Sequence, residues 1–336
     1  MKSGSPFQPS PPAKNKMRTA ALFSIGSEVT GATAAECMEQ SGMNFTVSAR
    51  PLSFMGNDGQ SVPVFDKVAI VRDDTDAIMS VMSDSYGIVQ PAQCFDLADA
   101  LVSEGGNHYC HAGMTKGGRR IFLQAKIGAE WLAGGDPKEG HQTYLTAMNS
   151  FDGSSGLEFY LGANRMWCLN QVNLIKRKAA ASFKVYHRKG VMGRMQEAAR
   201  ILGLAHEAQE AYRHSIERMM EEEVSQSYVE GFLATIVPAE EKIVDGVKEI
   251  ATRAENRRRE IEGLFRNGTG TFGKTKYDLW NGVTEYVDHF QGGRVTQKRL
   301  NAADAAADIE GEQRFERAIF GAGARLKEHA YELLTA

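Results

Sequence analysis

The chain has 336 residues, with 39 Lys and Arg against 42 Asp and Glu and a formal charge of −3 at pH 7. Apolar residues make up 42% of it, enough for one large domain or two smaller ones, which excludes global disorder. No run approaches the roughly 18 apolar residues of a bilayer crossing, and Cys37, Cys94, Cys110 and Cys168 are scattered without a CxxC pair. The expectation is a cytoplasmic protein with reduced thiols, no membrane partner and neither a disulfide frame nor a zinc site.

The opening MKSGSPFQPSPPAKNK is polar and basic and lacks the apolar stretch of a secretory signal. Pro6, Pro9, Pro11 and Pro12 predict a mobile tail over residues 1–18. Residues 19–165 read as a mainly antiparallel β region. β-Branched content predicts strands over Val62–Val71 and Ser85–Val89, with a turn or short helix entry at Asp73–Asp76. Helical spacing predicts a short helix over Pro91–Val102. Asn107–Ala112 and Arg120–Ile127 flank a turn over Met114–Arg119, where Lys116-Gly117-Gly118 suits positive φ. Thr143–Met148 and Leu157–Leu161 form a second strand pair around Asp152-Gly153-Ser154-Ser155-Gly156.

Residues 166–336 read as mainly helical. Three- and four-residue spacing predicts helices over Met192–Leu204 and His206–Glu223, and over Ala239–Phe265 beyond a break at Val237-Pro238. After a Gly/Thr loop at Asn267–Gly273, Tyr277–Phe290 and Gly311–Leu334 complete the series. No internal repeat is present. The fold class is therefore α+β, an antiparallel sheet region followed by a helical region packed on it, in one continuous domain.

The strongest charge feature is local. Between Arg165 and Arg200, nine basic residues (Arg165, Lys176, Arg177, Lys178, Lys184, Arg188, Lys189, Arg194 and Arg200) meet one acid, Glu197, a net of +8. Trp167, Phe183 and Tyr186 are interleaved with them. Cations so spaced neutralise phosphates, and aromatic faces stack on unpaired bases. Lys116, Arg119 and Arg120 at the hairpin shoulder are expected to line the other wall of the groove. The plain alternative is a basic face packed against the chain's own acidic helices, such as Glu221–Glu223.

Four other motifs carry possible chemistry. Gly268–Thr275 spells G-x-x-x-x-G-K-T, the phosphate-cradling loop, but it follows a charged helix, Arg253–Arg266, where a strand is required. A helix–helix connector is the better reading. Glu285, Asp288 and His289 stand at i, i+3 and i+4, so one helical face presents two carboxylates and an imidazole to a metal. His108, Cys110 and His111 are metal-capable, yet strand alternation sends His111 to the opposite face from the other two. Asn149-Ser-Phe-Asp152-Gly-Ser154 suits a side-chain-capped turn, with substrate contact as the second reading. No Gly-x-Ser-x-Gly elbow occurs and no catalytic triad can be assembled from spacing.

The stretch Val62–Pro91, the hairpin GGRRIFLQAKI, the NSFDGS loop with its strand to Met166-Trp-Cys-Leu-Asn170, FKVYHRKGVMGRMQEAARILGL, and WNGVTEYVDH together resemble the phage- and plasmid-related proteins of domain-of-unknown-function family 932. The likeness runs over about residues 40–295, with Asn281-Gly282 standing where the family usually has Asn-Ala. The resemblance implies a mobile-element setting and no established activity. In outline the fold class is also similar to phage single-strand annealing proteins, an analogy of fold alone.

Together these readings give a single-stranded DNA-binding, strand-annealing protein of a phage or plasmid, acting as a homo-oligomer without a cofactor and more readily a non-enzyme than an enzyme. The alternatives are a metal-assisted hydrolytic enzyme using Glu285, Asp288 and His289, and an interaction protein that blocks a host factor through its acidic helices.

Overall fold

The computed structural model describes residues 25–102, 107–136, 139–165, 170–173, 183–185, 209–239, 241–244, 247–250, 252–269, 271, 273–291, 303–319 and 321–336. The expected tail over residues 1–18 and the expected helix over Met192–Leu204 lie outside these residues.

The centre is a seven-stranded antiparallel sheet built from β1 (Ser27–Glu28), β5 (His108–Thr115), β6 (Arg120–Leu132), β7 (Gly140–Ser150), β8 (Leu157–Arg165), β9 (Asn170–Asn173) and β10 (Phe183–Val185). Its order is β1-β5-β6-β7-β8, and β9 and β10 both pair with the edge of β8 that β7 leaves open. Alternation along β6 explains why both sheet faces are covered. Ile121, Leu123 and Ala125 enter one apolar cluster and Phe122 the other, and every residue of β7 is buried.

The first cluster is closed by α1 (Ala34–Gln40), α2 (Pro91–Val102) and a three-stranded sheet of β2 (Val47–Met55), β3 (Ser61–Arg72) and β4 (Ala77–Ser83). Thr33 starts α1 through a reciprocal cap with Glu36. The second cluster lies under the C-terminal helices: 209–221, here α3, then α4 (Gln226–Ile236), α5 (Thr252–Asn267), α6 (Lys276–Glu285), α7 (Ala303–Ile319) and α8 (Ala322–Thr335). Phe122 bridges the layers, stacked against His111 at 5.5 Å and against Phe315 of α7 at 4.9 Å. The fold is α+β, as its residue patterning anticipates.

Several elements depart from their expected form. The strand expected over Ser85–Val89 lies instead at Ala77–Ser83, because a turn at Asp84–Ser85 ends the pairing with β3. Residues 85–89 then run as extended chain beside the β7–β8 loop, where Asn149 Nδ2 donates to Val89 O at 3.0 Å. The first part of Ala239–Phe265 is a hairpin of β11 (Glu241–Val244) and β12 (Val247–Ile250) before α5 begins. Its sequence joins β-branched runs through Asp245-Gly246, a tight-turn pair that outweighs helical spacing. The helix expected over Gly311–Leu334 is divided into α7 and α8 at Gly321. A Cβ there would sit 2.9 Å from Arg317 Cα, so only glycine allows the second helix to fold back so closely.

His111 is buried on β5, with Nε2 2.7 Å from Ile25 O, and burial holds its pKa below the ordinary 6.5 despite that hydrogen bond and the Glu28 carboxylate. As pH falls through 6.5 the unfolded chain therefore takes up the proton first. Stability will drop by up to about 1.4 kcal/mol per pH unit until the folded pKa is reached. Urea melts of the protein and of His111→Gln from pH 7.5 to 5.5 check this, the variant lacking that part of the slope; parallel slopes would refute it.

Candidate nucleic-acid interface

Strand register decides which cations meet. β10 pairs with β8 as Phe183↔Phe159, Lys184↔Glu158 and Val185↔Leu157, so it runs toward the β7–β8 turn. Arg120 opens β6 opposite Ser150, the last residue of β7. The β5–β6 turn, the β7–β8 turn and the exit of β10 toward Tyr186, Arg188 and Lys189 therefore share one end of the sheet. Arg120 and Val185 are three strand spacings apart, about 14 Å. In sequence, Lys176, Arg177 and Lys178 fall between β9 and β10. Arg165 is at the far end of β8, opposite His141 and Asn170, and so is separated from the Arg119–Arg120 shoulder by the length of that strand. Lys176, Arg177, Lys178, Tyr186, Arg188, Lys189 and Arg194 are outside the described residues, as is Trp167. For Arg165, Phe183 and Lys184 it is the backbone placement that counts.

The shoulder itself is narrower than expected. Thr115 opens the Lys116–Gly118 turn in extended backbone, and Gly118 at φ +95° lets Arg72 approach. Two of the three cations there are engaged internally. Arg120 pairs with Glu316 of α7 and donates from Nε to Ser154 Oγ at 2.9 Å. Lys116 Nζ lies 3.7 Å from Asp152, and its amide donates to Glu312 Oε1 at 2.9 Å. Arg119 is exposed and donates to Ile78 O at 3.3 Å. Acidic residues of α7 thus cover part of the predicted wall around Arg120, while Arg119 and the Lys116 side chain stay exposed.

The Asn149–Ser154 segment is the capped turn that its Asn and Asp suggest. Asp152 accepts from the Ser154 amide at 3.0 Å and from its hydroxyl, and Ser150 Oγ donates to Ser155 O at 2.7 Å. Burial opposes ionisation of Asp152, but the Ser154 hydrogen bonds with the Arg120 and Lys116 charges pull its carboxyl below the usual range.

The phosphate-loop spelling is filled from within. The Thr269 amide donates to Glu285 Oε2 at 3.0 Å, while the Lys274 and Thr275 amides donate to Asp278 Oδ2 at 3.0 and 3.1 Å. Thr275 and Asp278 form the reciprocal cap of α6, and Thr271 Oγ1 donates to Leu264 O. Carboxylates stand where a phosphate would have to sit, so the loop is a connector.

Glu285, Asp288 and His289 are all buried on α6 and the π turn (Tyr286–Phe290) that extends it. Glu285 holds Thr269, and Asp288 pairs with Lys327 of α8 at 2.9 Å, with Arg314 Nη2 donating to Asp288 O. Among the described residues no group of three or more His, Cys, Asp or Glu side chains is arranged to hold a metal. The same helix carries a relay that spacing did not reveal: Tyr277 donates to Glu139 Oε2 at 2.7 Å and lies 3.0 Å from His141 Nε2, with Trp131 stacked on the imidazole at 4.4 Å. More than 130 residues separate Tyr277 from Glu139 and His141, so no local pattern could join them. Burial raises the Cys37 thiol pKa and pushes Cys110 to about 12, so neither is a thiolate nucleophile.

These features define an α+β protein built on a twice-covered antiparallel sheet with a charged rim. A family model described as Domain of unknown function (DUF932) matches residues 78–307, and the chain belongs to that family. No curated protein and no solved structure matches it. Among the described residues no helix is long and apolar enough to cross a membrane.

Proposed function

We propose that the chain binds single-stranded DNA along the β9–β10 rim of its main sheet and serves as a strand-annealing protein of a phage or plasmid, working as a homo-oligomer. What supports the reading is the rim that flanks the basic segment in sequence: β9 precedes Lys176–Lys178, and β10 follows them and runs toward the end of the sheet where Arg119 stands. A strand held there by its phosphates keeps its base edges outward, and Phe183 or Tyr186 supplies a stacking partner. Annealing chemistry needs neither a nucleotide nor a metal.

Fluorescence anisotropy on a labelled oligonucleotide across a salt series tests this. The Lys176→Glu/Arg177→Glu/Lys178→Glu protein, checked for folding by circular dichroism, should lose about 2 from the slope of log K against log salt, given about 0.7 per phosphate on a single strand. Absence of binding by the unaltered protein at low salt, or an unchanged slope in the triple variant, would refute the proposal.

A further inference from the structure

Six of the eight exposed large hydrophobic residues among the described residues fall on the small sheet β2–β3–β4. β4 pairs with β3 only from Lys67 to Arg72, so the rest of the β2–β3 hairpin extends beyond it as a two-stranded arm. Leu52↔Val64 and Phe54↔Val62 are opposed on that arm, which a register shift at Pro51–Leu52 sets off from the rest of the sheet, where Ile78 and Val81 of β4 are also exposed. The sheet enters the core through Val47, Ile70 and Met79, all of which lie outside the arm. Phe54 is 57% exposed, Met55 70% and Phe65 85%. A two-stranded ribbon of this kind is marginal in water unless something covers it.

Charge narrows what can cover it. Residues 47–84 hold three cations and six acids, and from Pro51 to Asp66 there is no cation at all. Phosphate backbones and anionic lipid surfaces are therefore repelled. The chain itself contains a segment of the opposite character: residues 1–24 carry Lys2, Lys14, Lys16 and Arg18 with no acid. They also space prolines as Pro6-x-x-Pro9-x-x-Pro12, with Lys14 two residues on. Such prolines favour the polyproline helix, which docks on exposed aromatic side chains, and the basic residues beside it seek acids. Pro12 lies 13 residues before Ile25, a reach of about 40 Å when extended.

We infer that the exposed β2–β3 arm is the docking surface for the chain's own proline-rich basic segment, held by Phe54 and Phe65 and by Asp58 and Asp66. The inference is independent of the DNA reading. Hydrogen exchange measured by mass spectrometry on the full chain tests it. Amides of residues 51–66 should exchange about tenfold faster in Pro9→Ala/Pro12→Ala/Lys14→Glu/Lys16→Glu than in the unaltered protein. Phe65→Ser should do the same, since Phe65 belongs to no ladder pair and its loss leaves the strands intact. Equal arm exchange in the unaltered and tail-altered proteins would overturn the inference. So would protection that disappears on dilution together with a dimer, or that arises only on adding an oligonucleotide or anionic vesicles.

Discussion

Lys327→Met will destabilise the protein by about 3–5 kcal/mol, while Asp288→Leu/Lys327→Met will recover most of that loss. The reason is the setting of the pair. The Asp288 and Lys327 side chains are 2% and 6% exposed and 2.9 Å apart, joining the π turn after α6 to the last helix. Removing the ammonium takes from a buried carboxylate the counter-charge that offsets its desolvation. Removing both leaves an apolar contact of similar volume, and buried pairs replaced in this way are often neutral. Urea denaturation of the single and double variants decides the matter. If both lose the same stability, packing at Lys327 and not charge is responsible.

Phe122→Ala will cost a comparable 3–5 kcal/mol, roughly the cost of truncating a fully buried aromatic. Phe122 is 1% exposed and stands between His111 and Phe315, so the change removes two ring stacks and opens a cavity between the sheet and α7. The same truncation at Phe65 should change stability by no more than about 0.5 kcal/mol, because that ring belongs to neither buried cluster. Thermal or urea melts of the two variants make the comparison directly. A small loss at Phe122 would mean that the layers adhere through the Glu316 contacts instead.

What the residues disclosed in advance follows from the range of the forces involved. Pro91–Val102 was legible to the residue because its spacing and its proline start are local, and α2 has those bounds. The β5–β6 hairpin was legible for the same reason, through Lys116-Gly117-Gly118. The β11–β12 hairpin was missed because the adjacent charges Glu241-Lys242 and Lys248-Glu249 break the two-residue period. The site divides along the same line. A run of cations is visible in any sequence, but Glu316 reaching Arg120 from 196 residues away is not, and neither is Lys327 reaching Asp288. Local acid counting around Lys116–Arg120 therefore overstates the free positive charge there.

α6 is enclosed on every side, and its burial is completed by α8, which supplies Lys327 to neutralise Asp288. The family match stops at residue 307, inside α7, so a piece cut to those limits would lack both Glu316 and Lys327. The boundary at which likeness to relatives ends is thus not the boundary at which this molecule can close.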